Sequence, residues 1–366
     1  MSPGISTGPA GRWLLHSGIQ QPSGGFARYY DATSGRNRAV STEISGYAAS
    51  ALVWLFESTR DEEYLACARK TGCFLLSSWD TQLQTFPFEH PSPSSESEHL
   101  SYFFDCGIII RGLLAVWSAT GEDRLLEVAR AAAHCMIEDF RAHQDYHPIL
   151  NLPEKLPADR GDQWSRSSGC YQLKAALAWR DVAEITGDQP LRDAWSEMLE
   201  SALQSHADFL PGVGGNQKLA DGNQKVMDRL HPYCYFLEGL IPELHRPEIV
   251  RIYGEGLNSV AGYLQEIAPV FARSDVYAQL LRARLYAADR ITIDAQAAEC
   301  EANALAAFQM SSGDARIDGG FLFGRRCGAL VEHVNPVSTV FGTQALEMWR
   351  GHQAAGTRPP CLRLLI

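Results

Sequence analysis

Residues 105–137, DCGIIIRGLLAVWSATGEDRLLEVARAAAHCMI, carry two helices of opposite character joined by a short turn. The first, Asp105 to Ala119, is apolar on nearly every side, so it must be buried on most of its surface. The second, Glu122 to Ile137, has apolar residues at i, i+3 and i+4 and a charged back, so one side faces water. Thr120-Gly121-Glu122 supplies the turn and an acidic cap for the second helix.

The pair recurs along the chain. EISGYAASALVWLFES (43–58) leads through Thr59-Arg60-Asp61 into DEEYLACARKTGCFLL, and GCYQLKAALAWRDVAEI (169–185) leads through Thr186-Gly187-Asp188 into DQPLRDAWSEMLESAL. The three turn threonines are 61 and 66 residues apart. Weaker copies follow, PYCYFLEGLIPEL (232–244) with PEIVRIYGEGLNSVAGYLQEI and SDVYAQLLRARLYAADR (274–290) with DAQAAECEANALAAFQ. PVSTVFGTQALEMWRGH (336–352) is a sixth buried helix with almost no chain after it. An inner ring of buried helices inside an outer ring of amphipathic ones satisfies both characters. The expectation is an all-α (α/α)6 toroid of six hairpins spanning residues 1–366 as one domain. The N-terminal PAGRWLLHSGI (9–19) would supply the missing outer partner of the last inner helix. GGFARYYD (24–31) and GGFLFGRR (319–326) resemble each other, flank that joint and suit short strands. The Pro/Gly-rich loops FPFEHPSPSSESEH, LPEKLPADRGDQWSRSS and PGVGGNQKLADGNQKVMDR precede inner helices, so they would gather on one face.

Composition narrows the partners. With 32 basic and 43 acidic residues the net charge is −11, which argues against nucleic acid. No run looks long and apolar enough to span a membrane, and the N-terminus lacks the pattern of a signal peptide. The nine cysteines show no metal-type spacing. Cys67, Cys73, Cys106, Cys135, Cys170, Cys234 and Cys300 fall in apolar, helix-like stretches, as buried thiols of a reduced cytoplasmic protein do. Nucleotide-binding glycine motifs, a GxSxG elbow, HExxH and CxxC are all missing from the sequence, so no cofactor or metal is implied.

The candidates for chemistry are the polar residues where inner helices begin, because helix N-termini focus polar groups into the cleft of a toroid. They are Glu43, Asp105, Gln172, His231, Asp275 and the stretch from His333 through Asn335 to Ser338. Asp105, between aromatics and an isoleucine run, suits a general acid, and a helix cap is its plain alternative. Glu43 shares that ambiguity, and Asp275 could simply pair with Arg273. His231 and His333, each closely followed by proline at an expected helix start, could remove and return a proton on opposite faces of a sugar carbon. Trp164, Tyr102 and Tyr233 could stack on sugar faces, and Arg166, Arg273 and Arg325 could pair with anionic groups.

The hairpin pattern, with GGFARYYD and TRDEEYLACARKTGCFLL, resembles the six-hairpin glycosidase-like superfamily. FFDCGIIIRGLLAVWSATGEDRLLEVARAAAHCMIEDF is similar to the region of unsaturated glucuronyl hydrolases that carries their catalytic aspartate. By that resemblance the role falls on Asp105. The N-acylglucosamine 2-epimerase group has the same toroid and uses two late histidines, which His231 and His333 match by helix order. The resemblance implies a small saccharide substrate, with hydrolysis of a glycoside or unsaturated uronide as the first expectation. Epimerisation or isomerisation by the two histidines is the alternative, and a non-catalytic glycan- or protein-binding toroid the third.

Overall fold

The computed structural model describes residues 8–89, 99–143, 145–159, 161, 163–210, 223–355 and 359–366. Among them are twelve α-helices: α1 Gly8–His16, α2 Thr42–Thr59, α3 Glu62–Ser78, α4 Phe103–Thr120, α5 Asp123–Asp139, α6 Gln172–Thr186, α7 Gln189–Ser205, α8 Asn223–Leu240, α9 Pro247–Ile267, α10 Ser274–Tyr286, α11 Ala295–Ala306 and α12 Pro336–Ala355. The even-numbered helices form the inner ring, in the order α2, α4, α6, α8, α10, α12 and back to α2. The odd-numbered helices lie outside, and α1 rests against α12 and α3. This is an (α/α)6 toroid.

The hydropathy contrast explains the layering. In α4 every residue from Phe103 to Val116 is buried, whereas α5 buries a stripe that includes Leu125, Val128, Ala132 and Met136. By composition α4 is long and apolar enough to cross a bilayer, contrary to the reading of the sequence, but here it is an interior stave of the ring. Cysteine burial is also only partly as expected, since Cys73 and Cys300 are exposed on outer helices.

The turn between the helices of a hairpin has a consistent chemistry. Thr59, Thr120 and Thr186 each donate a hydroxyl hydrogen bond to the carbonyl four residues back. The next residue is left-handed, at φ 62° for Arg60, 69° for Gly121 and 76° for Gly187. Glycine takes that conformation without strain, and arginine does not. The acidic residue that follows takes the N-cap position of the outer helix, but only Asp61 caps with its side chain, accepting from the Glu63 amide; Glu122 makes no such bond, contrary to the expectation, and Asp188 turns instead to Arg130 and His134.

Small sheets edge the ring. The largest orders its strands 36–37, 30–31, 329–334, 322–326 and 271–273, all antiparallel. The two GGF segments dock alike, with the Phe26 amide donating to Ser45 Oγ on α2 and the Phe321 amide to Thr339 Oγ1 on α12.

The lower half of the ring holds charge. α12 ends on the face away from the inner-helix N-termini, and residues 359–366 turn back from there into the bore. Leu365 and Ile366 are buried, and Arg111 donates to the carbonyls of Leu362 and Leu365. Arg111 also pairs with Asp181 at 3.0 Å. Beside it, Glu238 takes Arg282 at 2.5 Å and Lys174 at 3.1 Å, and Gln344 accepts from Arg282 while donating to the Leu364 carbonyl.

Candidate active site

The upper half of the ring is an open cleft of about 480 Å³ at the N-terminal ends of the inner helices, a size typical of small-molecule sites. Two of the long loops reach its rim, through Phe88 and through Gln163 to Ser165.

One wall carries Glu43 and Asp105, from the first turns of α2 and α4. These helices touch backbone to backbone. A Cβ on Gly46 would lie 2.9 Å from the Ile108 carbonyl oxygen, and one on Gly112 would lie 2.6 Å from that of Gly46. One turn above that contact, the two carboxyls line the same wall, near enough for the charge of Glu43 to act on Asp105. Capping does not use them: Ser41 caps α2, and Tyr102 is the N-cap residue of α4. Asp105 is 6% exposed, and its Oδ2 has no hydrogen-bond partner. Burial pushes the Asp105 carboxyl well above the carboxylate range, Glu43 pushes it further, and Arg28 opposes both. Glu43 keeps some contact with the cleft, yet protein encloses it, and burial raises its pKa to about 7 against the pull of Arg28.

The facing wall carries His231 and Asp275, from α8 and α10. His231 Nδ1 lies 2.8 Å from Gln279 Oε1 and 3.5 Å from Asp275 Oδ2. Two acceptors there put the proton on Nδ1 and leave the Nε2 lone pair free. Burial lowers the imidazole pKa to about 4, although Asp275 pulls the other way. The ring is therefore uncharged at neutral pH. Asp275 is gripped by the Arg273 fork at 3.0 and 2.6 Å. Burial would raise its pKa, but Arg273 and then His231 outweigh that and hold it below its usual value.

The joint between the ends of the chain completes the cleft. His333 stands in the strand 329–334, opposite Asp31, and stacks on Tyr29 at 4.3 Å. Asn335 caps α12 by accepting from the Val337 amide. Trp164 sets its edge toward His231 at 6.2 Å, and Tyr102 packs on Phe88 at 4.9 Å. Beneath lie Tyr47 and Tyr235, one turn below Glu43 and His231, on helices three places apart in the ring.

Glu43, Asp105, His231, Asp275, His333, Trp164, Tyr102, Arg273 and Asn335 all line this one cleft. Four other candidates do not. Gln172 spends both ends on the backbone, accepting from Gly169 and donating to Tyr146. Tyr233 is packed against the stacked rings of His206 and Phe236. Arg325 lies over the Phe308 ring, and Arg166 sits behind Gly161. The helix starts also need correction. His231 is the ninth residue of α8 and Pro232 lies inside that helix, which begins at Asn223 within the segment read as loop. His333 belongs to a strand rather than to a helix start. The residues 211–222 of that loop and 90–98 of another lie outside the described residues. Sequence reasoning missed Arg28, which faces the carboxyl pair and binds Glu89 at 3.0 Å. It falls within GGFARYYD, where no local pattern marks it out.

No family model and no curated protein matches this sequence. Solved structures do match in shape. A sugar epimerase from a ruminal bacterium superposes with TM-score 0.70 at 9% identity, covering 93% of this chain and 98% of that one. The cellobiose 2-epimerase of Spirochaeta thermophila gives 0.71 at 13%, covering 92% of each. The unsaturated glucuronyl hydrolase of a Bacillus species gives 0.67 at 13%, covering 96% of this chain and 97% of that one. The chain thus shares the (α/α)6 toroid fold of these structures. At such identities the likeness speaks for the architecture, and activity must be argued from the site.

Proposed function

We propose that this protein is a sugar epimerase or isomerase that moves a proton at the carbon beside a carbonyl, with His231 as the base. One observation carries the reading: two imidazoles line a single cleft, and one of them is held neutral with Nδ1 engaged and Nε2 free. A neutral imidazole can accept a proton from carbon, and His333, on the strand that enters α12, would return it from another direction. The aromatic rim of Trp164, Tyr102 and Tyr29 suits the C–H faces of a sugar. The test is to incubate aldoses and reducing disaccharides with the protein in deuterated water and follow the carbon-bound hydrogens by NMR. Deuterium should enter at the carbon beside the carbonyl, and His231→Asn should slow this by about 10²–10⁴-fold. If no sugar in the panel gains deuterium, the reading is wrong.

Hydrolysis is the second reading, favoured by the unpartnered Oδ2 of Asp105 and its raised pKa. Release of sugar from an unsaturated uronide or an activated glycoside, lost in Asp105→Asn, would establish it in place of the first.

A further inference from the structure

Glu43 and Asp105 form a feature that the two histidines leave unused. α2 and α4 occupy ring positions opposite α8 and α10, so the carboxyl pair faces His231 and Asp275 across the cleft. The groups around the pair decide its charge. Arg28, from the GGF segment, is the cation that acts on both carboxyls, and it is already engaged by Glu89. Tyr47 and Tyr235 stand below, Tyr171 and Cys106 to the side, and all four are neutral groups whose ionisation burial suppresses. Across the cleft, Asp275 is committed to Arg273. Two adjacent carboxylates in such a setting cannot both be ionised without a large electrostatic cost. The buried, unpartnered Asp105 Oδ2 is the atom left in want of a hydrogen.

We infer that Glu43 and Asp105 hold one proton between them and deliver it to the carbonyl oxygen of the bound sugar. This rests on the epimerase reading above. His231 Nε2 takes the hydrogen of the neighbouring carbon as a proton, and the C–H electron pair becomes the new carbon–carbon double bond. The carbonyl π pair moves onto oxygen, which takes the shared proton. The intermediate is a neutral enediol, between an imidazolium on one wall and two carboxylates beside Arg28 on the other. In the reverse step the oxygen returns its proton to the pair while carbon is reprotonated. The high pKa values that burial gives both carboxyls agree with this assignment.

Infrared difference spectroscopy of the full chain tests the shared proton without any substrate. The wild type should show a protonated-carboxyl stretch at about pH 6 that disappears on raising the pH. In Glu43→Gln and in Asp105→Asn the midpoint of the remaining band should fall, and in the double variant the band should vanish. Absence of the band in the wild type, or a midpoint that either single change leaves untouched, overturns the inference. Deuterium exchange supplies the second arm. Each single variant should lose about 10²-fold in kcat while keeping its fold by circular dichroism, and Glu43→Asp, which keeps a carboxyl, should recover part of the loss. If the wild type exchanges deuterium and both variants match it, the pair is not the acid, and the epimerase reading survives. If the wild type exchanges none, that reading fails, and the infrared arm alone decides whether the proton is shared.

Discussion

The two halves of the bore treat buried charge in opposite ways. In the lower half each acid has a cation: Asp181 has Arg111, and Glu238 has both Arg282 and Lys174. In the cleft, Asp105 is buried with an empty Oδ2, and it shares with Glu43 one arginine that is already committed to Glu89. Burial of an unpaired acid costs stability, because the charged form loses water and gains nothing. That contrast, with acids paired one or two turns below and these two left without a cation of their own, is what the proposed role of the pair rests on.

Charge removal should break that symmetry most visibly. Glu238→Gln leaves Arg282 and Lys174 facing each other in a dry interior and should cost about 3–5 kcal/mol, read from the denaturant midpoint. Asp105→Asn, the same change in the cleft, should leave the midpoint unchanged or raise it, because it removes a charge that burial already disfavours. Similar losses for both would mean that Asp105 serves the fold.

A smaller effect separates the halves by pH. The folded Glu43 has its pKa raised from 4.5 to about 7, so between those values the folded chain binds the extra proton and stability falls as pH rises. Lys174 has its pKa lowered by burial from 10.5 to about 7, so between those values the unfolded chain binds the extra proton and stability climbs with pH. Melting temperature against pH should fall less steeply in Glu43→Gln, where Asp105 alone still binds an extra proton, and should lose its rising limb in Lys174→Met. A profile that neither change alters would contradict both assignments.

The smallest effect lies at the hairpin turns on the closed side. Arg60 holds the left-handed position that glycine fills in the two equivalent turns. Arg60→Gly relieves strain of about 1–2 kcal/mol at an entropic cost of about 0.5–1. The net gain should lie between zero and about 1.5 kcal/mol, seen as at most a modest rise in melting temperature.

The ring was legible because its signal is redundant. Each hairpin states the contrast between a buried and an amphipathic helix, and three of them repeat the Thr-x-acid turn. Glu43, Asp105 and Asp275 were legible for the same reason, as acids in the first turns of inner helices. α8 was harder. Its first turns, NQKVMDRL, are polar, and Pro232 reads as a boundary although it lies inside the helix. Arg28 was missed because its place in the cleft depends on the strand pairing of 26–27 with 40–41, which no local pattern announces. The sequence CLRLLI (361–366) gives no hint of its own that it enters the bore. Its role depends on arginine, lysine and glutamine side chains from four separate helices.

That returning segment also bears on how the chain is assembled. Synthesis runs from the N-terminus, and hairpins such as α2–α3 and α4–α5 can form as they emerge. Two contacts cannot. Trp13 of α1 reaches the Arg316 carbonyl across 303 residues, and Arg111 waits across 254 for Leu365. Without residues 359–366, the contacts that Arg111, Lys174 and Gln344 make with their backbone would be missing. In the folded ring this segment acts as a stopper, closing the lower bore so that the vessel keeps one mouth, the cleft.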